Sequence, residues 1–291
     1  MDGDFEQVIT SQRRDLGGGV VVWRSLPSHA RKMVGPFVFV DHHGPGRLPP
    51  GHGMDVRPHP HIGIATLTYL FEGEIVHRDS LGVVQRIVPG EVNWMVAGRG
   101  IVHSERSPDE LRPLGAPGFG VQTWLALPQE HEETEPAFSH HARGDIPRFS
   151  RDGAEVAVIA GTAFGERSPV PVFSDTLYVA VDLEPGGTLE VSSEHEERAV
   201  YVLLGAVTLG AQRCDTGQLA VLAPGRSVRI DAPDGAKCLL IGGATLDGPR
   251  HLYWNFVSSS RERIERAKSD WLERRFPGVP GETEFIPLPA Q

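Results

Sequence analysis

Apolar residues along this chain come in short runs that alternate with polar ones, and Gly or Pro interrupts nearly every run. A period of two predicts strands. Residues 19–23 and 35–43 read as the first two; in the second, Phe37 and Phe39 share one face and Val38 and Val40 the other. A Gly/Pro loop over 44–54 follows and is predicted to pass over the mouth of a barrel. Pro58 and Pro60 cannot donate to a ladder, which predicts an edge strand or an extended rim around them. Further strands are predicted at 64–71, 75–79, 83–88, 92–96, 101–105 and 118–127. Turns fall at Glu72-Gly73-Glu74 and Pro89-Gly90, and a kink or bulge at Gly98-Arg99-Gly100. Many short, evenly spaced strands without a long helical period predict an all-β barrel of jelly-roll type.

The second half repeats the pattern. After a polar, acidic stretch from Gln129 to Glu135, residues 136–153 lack a clear period and read as a linker. A second β-rich run covers 154 to about 245. Tyr69-Leu70-Phe71-Glu72-Gly73 can be laid on Tyr201-Val202-Leu203-Leu204-Gly205, and Pro89-Gly90 on Thr216-Gly217. In that register His59 and His61 fall on Val191 and Ser193, and His103 on Ile230. The expected organisation is therefore two tandem barrels, 1–135 and 154–291, with the chemistry in the first only. One helix is predicted over 261–276, capped near Ser258-Ser259-Ser260, with Ile264, Ala267, Trp271 and Leu272 as its apolar stripe. The tail from Pro277 reads as extended.

Composition narrows the function classes. A net charge of −10 without a basic cluster disfavours counterion-release binding, so no direct nucleic-acid partner is expected, while a protein partner stays open. No apolar run approaches the roughly 20 residues needed to span a bilayer, so no membrane partner is expected. The acidic start, Met1 to Glu6, lacks the apolar core of a signal peptide. Cys214 and Cys238 are too few for a disulfide framework and read as reduced thiols in a cytoplasmic protein.

The candidate chemistry sits between Arg57 and Pro108. Residues two apart on a strand share a face, so His59 and His61 point together, and so do His103 and Glu105. If the two segments face each other inside a barrel, three imidazoles and a carboxylate converge as a metal-ligand set. Without thiolates, the set favours Fe(II), with Mn, Ni, Cu or Zn also compatible. His42, His43, His52 and His77 are further candidates; His52 would face the mouth, and Asp41 or His77 would orient a ligand imidazole. His131, His140, His141 and the Glu130–Glu135 run read as solvated, Arg99 as structural or rim-exposed, and Trp94 and Met95 as core.

With these residues in view, the chain resembles the pirin family of the cupin superfamily. The motifs are Pro58-His59-Pro60-His61, Thr68-Tyr69-Leu70-Phe71-Glu72-Gly73, Pro89-Gly90 with Trp94-Met95, and Ala97-Gly98-Arg99-Gly100-Ile101-Val102-His103-Ser104-Glu105. The resemblance spans nearly the whole chain. It implies a bicupin of two cupin-type barrels, the second degenerate. One metal, often iron, would sit in the first on His59, His61, His103 and Glu105. It also implies two activities: quercetinase-type dioxygenation of flavonols, and iron-dependent regulation through protein partners. The chain departs from the family at Ile62 and Ala65, where many pirins carry Arg and Glu.

The leading expectation is an Fe(II)-dependent dioxygenase, an oxidoreductase of quercetinase type acting on flavonol-like substrates, with Glu105 as ligand and general base. The alternatives are a metal-containing regulatory protein without turnover and a metal-free bicupin scaffold.

Overall fold

The structure, a computed structural model, describes residues 5–17 and 20–289. The chain divides into two compact units that do not follow chain order. One holds the described residues up to Arg13, Trp23–Asp41 and Gly144–Leu246; the other holds Arg14–Val22, His42–Arg143 and the chain from Asp247 onward. One crossing between the units, at Arg143/Gly144, falls inside the linker expected over 136–153. In the structure that stretch contains two strands, Ala137–His141 paired to Val92–Val96 and Arg148–Arg151 paired to Ala154–Ala163.

The histidine-bearing unit is a β-barrel. One sheet orders its strands Asp55–His61, Ile101–Arg106, Ile75–Asp79 and Val84–Ile87, with the Pro58/Pro60 strand at its edge. In another, Ala137–His141, Val92–Val96, Ile64–Glu72 and Pro117–Ala126 lie side by side. The strand Phe37–Arg47 runs four residues beyond its predicted end, into the stretch expected to be loop. Gly98 makes the predicted kink necessary: its φ is +49°, and an added Cβ would lie 2.0 Å from the Thr134 carbonyl oxygen.

The helix Arg261–Leu272 starts at Ser260, whose hydroxyl accepts from the Arg263 amide as N-cap. It ends four residues earlier than predicted, because Arg274 adopts φ +56° ahead of Pro277. Ile264 and Ala267 bury against Ile62 and Phe256, so the helix belongs to the histidine-bearing unit. Trp271 packs beside them and donates its Nε1–H to the Ile286 carbonyl, whereas Leu272, placed in the stripe by sequence, is exposed.

The other unit is also a barrel. Its main sheet runs Phe5–Thr10, Gln218–Leu222, Glu197–Leu209, Ala236–Gly243, Thr176–Leu183, Ala154–Ala163 and Arg148–Arg151. The N-terminal strand pairs along Gln218–Leu222, which explains why residues so early in the chain join this unit. The interior is apolar, with Val156, Val181, Leu189, Val191, Leu209, Val228 and Ile230 in one cluster. No helix among the described residues is long and apolar enough to cross a membrane.

Candidate metal centre

Strand register builds the site. In the ladder between Asp55–His61 and Ile101–Arg106, His59 stands opposite His103 and His61 opposite Ile101. On the other side of the return strand, His103 stands opposite Asp79 and Glu105 opposite His77. All seven side chains therefore share the barrel's inner face. Between His103 and Glu105 the register slips, since Glu105 pairs with Val56. This irregularity falls where Pro58 can donate no N–H, and beside it the Arg57 carbonyl accepts from His59 Nδ1 at 2.9 Å.

The three imidazoles meet: one nitrogen from each of His59, His61 and His103 lies within 4.8 Å of the others. All three residues are buried. Burial holds His59 down to about 4 and His61 and His103 well below their ordinary value, so all three are neutral near pH 7. Two of the tautomers follow from carbonyls that can only accept. His59 Nδ1 donates to Arg57 O, and His61 Nδ1 donates to Asn255 O at 3.2 Å, which leaves a bare Nε2 on each ring.

This donor set fits a cation. His61 Nε2 and His103 Nε2 lie 3.1 Å apart. Two imidazole nitrogens bound to one metal at about 2.1 Å and at right angles would lie about 3.0 Å apart. Buried neutral imidazoles with converging lone pairs gain from an electron-poor centre between them.

Glu105 does not join that compact set of nitrogens. Its carboxyl is buried on the same face and accepts from Thr68 Oγ1 at 3.1 Å, and burial pushes its pKa up. Thr68 also meets Gln122 Oε1 at 2.7 Å. Trp124 packs edge-on against His61 with ring centroids 4.9 Å apart, and Phe138 stacks on His77. Sequence reasoning passed over Thr68, Gln122, Trp124, Phe138 and Asn255. Two threonines on one face of an otherwise apolar buried strand, Thr66 and Thr68, were a readable signal. Nothing local marks Asn255, whose carbonyl meets a ring 194 positions away.

The remaining candidates separate. His42 is buried and held down to about 4 by burial and by His43 beside it. His43 faces the inner-wall glycine Gly120, where an added Cβ would come within 2.9 Å of its ring. His52 is exposed, its Nδ1 against the Pro50 carbonyl, and Asp41 is ion-paired to Arg24 at 2.7 Å. His140, expected in solvent, is half-buried in a strand and bonds Asn93 Oδ1 at 2.8 Å. Glu132, from a run expected to be solvated, is buried, accepts from Ser258 and Ser259 and pairs with Arg250 at 2.8 Å. Ile62 packs under the helix, and Ala65 has the opposite parity to Thr66 and Thr68, so both departures from the family pattern lie off the inner face.

Comparison with known proteins agrees with this geometry. The family model described as Pirin matches residues 19–125, and that of the Pirin C-terminal cupin domain matches 178–277. A pirin-like protein of Caulobacter vibrioides is 49% identical over 290 residues, covering 98% of this chain and 99% of its own. Human pirin is 32% identical over 277 residues, covering 90% of each. A crystal structure of quercetin 2,3-dioxygenase from Acinetobacter baumannii superposes with a TM-score of 0.92 at 33% identity, covering 99% of this chain and 96% of that one. Matched along both barrels and nearly end to end, this chain belongs to the pirin family.

Proposed function

We propose that the protein is an Fe(II)-dependent dioxygenase of quercetinase type, acting on a flavonol-like substrate. The observation that carries the reading is the convergence of three buried, neutral imidazoles in a chain that superposes closely on a quercetin 2,3-dioxygenase. His59, His61 and His103 would hold the ion, and Glu105 is the proposed fourth ligand. Mn, Ni, Cu or Zn would also suit these donors. When bound, the metal supplies Lewis acidity towards a chelating hydroxyl–keto pair and the redox chemistry that O₂ requires.

The chain's own residues do the rest. The Arg57 and Asn255 carbonyls keep His59 and His61 in the tautomers that point Nε2 inward. Thr68 holds Glu105 on the inner face, where a carboxyl raised by burial is suited to take the substrate's hydroxyl proton as general base. Trp124 and Phe138 line the same face with apolar rings that exclude water.

Anaerobic loading with Fe(II), followed by oxygen uptake with quercetin, tests the reading. Uptake that disappears in His61→Ala is the expected result. A loaded site that stays inert with several flavonols would instead favour a metal-dependent regulatory protein acting through a protein partner.

A further inference from the structure

His59 and His61 are each oriented by a backbone carbonyl; His103 is not. Its Nε2 faces His61, and its Nδ1 faces another imidazole, His77 Nδ1, at 3.4 Å. That is long for a hydrogen bond, but a chain of one-way partners behind it decides its direction. Asp79 is fully buried, and its Oδ1 accepts from the Leu81 amide at 2.9 Å and the Val83 amide at 3.1 Å. The carboxylate is thereby locked, with Oδ2 against His77 Nε2 at 3.1 Å. A carboxylate can only accept, so in neutral His77 the single ring proton sits on Nε2 and Nδ1 is bare. The proton between the two rings must then come from His103 Nδ1, which leaves His103 Nε2 bare as well. Phe138, stacked on His77 at 4.6 Å between centroids and 24° between planes, holds the relaying ring in place.

From this geometry we infer that Asp79 and His77 are positioning residues that set the tautomer of His103 and so turn its Nε2 lone pair towards the metal. The inner ladder of the other barrel, which carries no histidine, supports the coupling: there Ile230, at the His103 position, faces Leu209 where His103 faces Asp79. Where no imidazole needs orienting, the carboxylate position is apolar too. The use of the relay rests on the metal reading above, but the proton positions themselves do not.

Nitrogen-15 NMR of histidine-labelled, metal-free protein reads the tautomers directly. Wild type should show His103 protonated at Nδ1 and His77 at Nε2. Asp79→Asn keeps an acceptor for the Leu81 and Val83 amides but turns an N–H donor towards His77. It should therefore invert both rings and place a proton on His103 Nε2. Fe(II) affinity, measured anaerobically by chelator competition, should fall about 10- to 100-fold. His77→Phe keeps the stack with Phe138 and removes both the acceptor facing His103 and the donor to Asp79, but puts no donor against His103, so its loss of affinity should be smaller than that of Asp79→Asn. The same ordering with Co(II) is expected. A wild-type His103 protonated at Nε2 overturns the relay, as does an Asp79→Asn protein with unchanged tautomers and affinity. If Asp79→Asn does not fold, His77→Phe decides, and unchanged affinity there rejects the idea. A wild type that binds Fe(II) no better than His61→Ala sinks the metal reading instead, while the NMR result still judges the relay.

Discussion

In one barrel the inner ladder sets His59 against His103 and His103 against Asp79; in the other it sets Leu189 against Ile230 and Ile230 against Leu209. The backbone pairing is alike, and the contents differ in kind. Every buried imidazole of the first ladder has an oriented partner: the Arg57 carbonyl, the Asn255 carbonyl, or the Asp79–His77 pair. Leu189, Ile230 and Leu209 sit instead in a continuous apolar cluster with Val191, Val207 and Val228. A barrel interior can be polar only where each polar group is supplied with an acceptor or an ion; otherwise the affordable filling is hydrocarbon. The ladder also corrects the overlay made from sequence. With Ile230 matched to His103, the counterpart of His59 is Leu189 rather than Val191, two positions earlier on the same face.

The sharpest way to break this contrast is to place an imidazole in the apolar barrel. Ile230→His would bury two ring nitrogens among Leu189, Leu209 and Val228, with no acceptor prepared, at a cost of about 3–5 kcal/mol. Denaturant titration should show that loss, and metal analysis should still find no second equivalent. A stable variant that gained a second ion would refute the account of why the barrels differ.

Next in size is the response to acid. His42 and His59 are held near 4 in the folded protein against an ordinary 6.5, so the unfolded chain takes up protons first as pH falls. Stability of the metal-free protein should be complete above about pH 6.5 and decline between 6.5 and 4, by at most about 3 kcal/mol for each. Glu105, raised by burial, acts in the opposite direction as a single group. Urea midpoints at pH 7.5, 6 and 5 check this, and equal midpoints would contradict it.

Thr68→Val keeps the shape of the inner wall and takes the hydroxyl from Glu105, with an expected loss of about 1–3 kcal/mol. The same change should raise the Glu105 pKa further, which infrared titration of the carboxyl band can follow. Smallest is Ser260→Ala, which removes the N-cap of the helix under which Ile62 packs. About 1 kcal/mol should go, with metal content unchanged. A loss of metal in that variant would mean that the helix supports the site more directly than its contacts show.

Much was legible in the chain itself. Alternation is a local property, so it placed His59 with His61 and His103 with Glu105, marked the Pro-bearing edge strand, and separated a polar-faced barrel from an apolar one. Cap and stripe residues located the start of the helix and its buried face at Ile264 and Ala267. Its end was misplaced because the turn at Arg274 depends on a positive φ that the residue type does not announce.

Tertiary structure alone decided the rest, because those choices depend on groups far apart in sequence. Whether a nitrogen offers a lone pair or a proton was set by the Asn255 carbonyl and by Asp79 acting through His77. The Thr68 hydroxyl took up Glu105. The N-terminal strand and the terminal helix found their units through a ladder with Gln218–Leu222 and a pocket at Ile62 and Phe256. A strand's period reveals which way a side chain points, but only the partners gathered around it determine what its atoms can do.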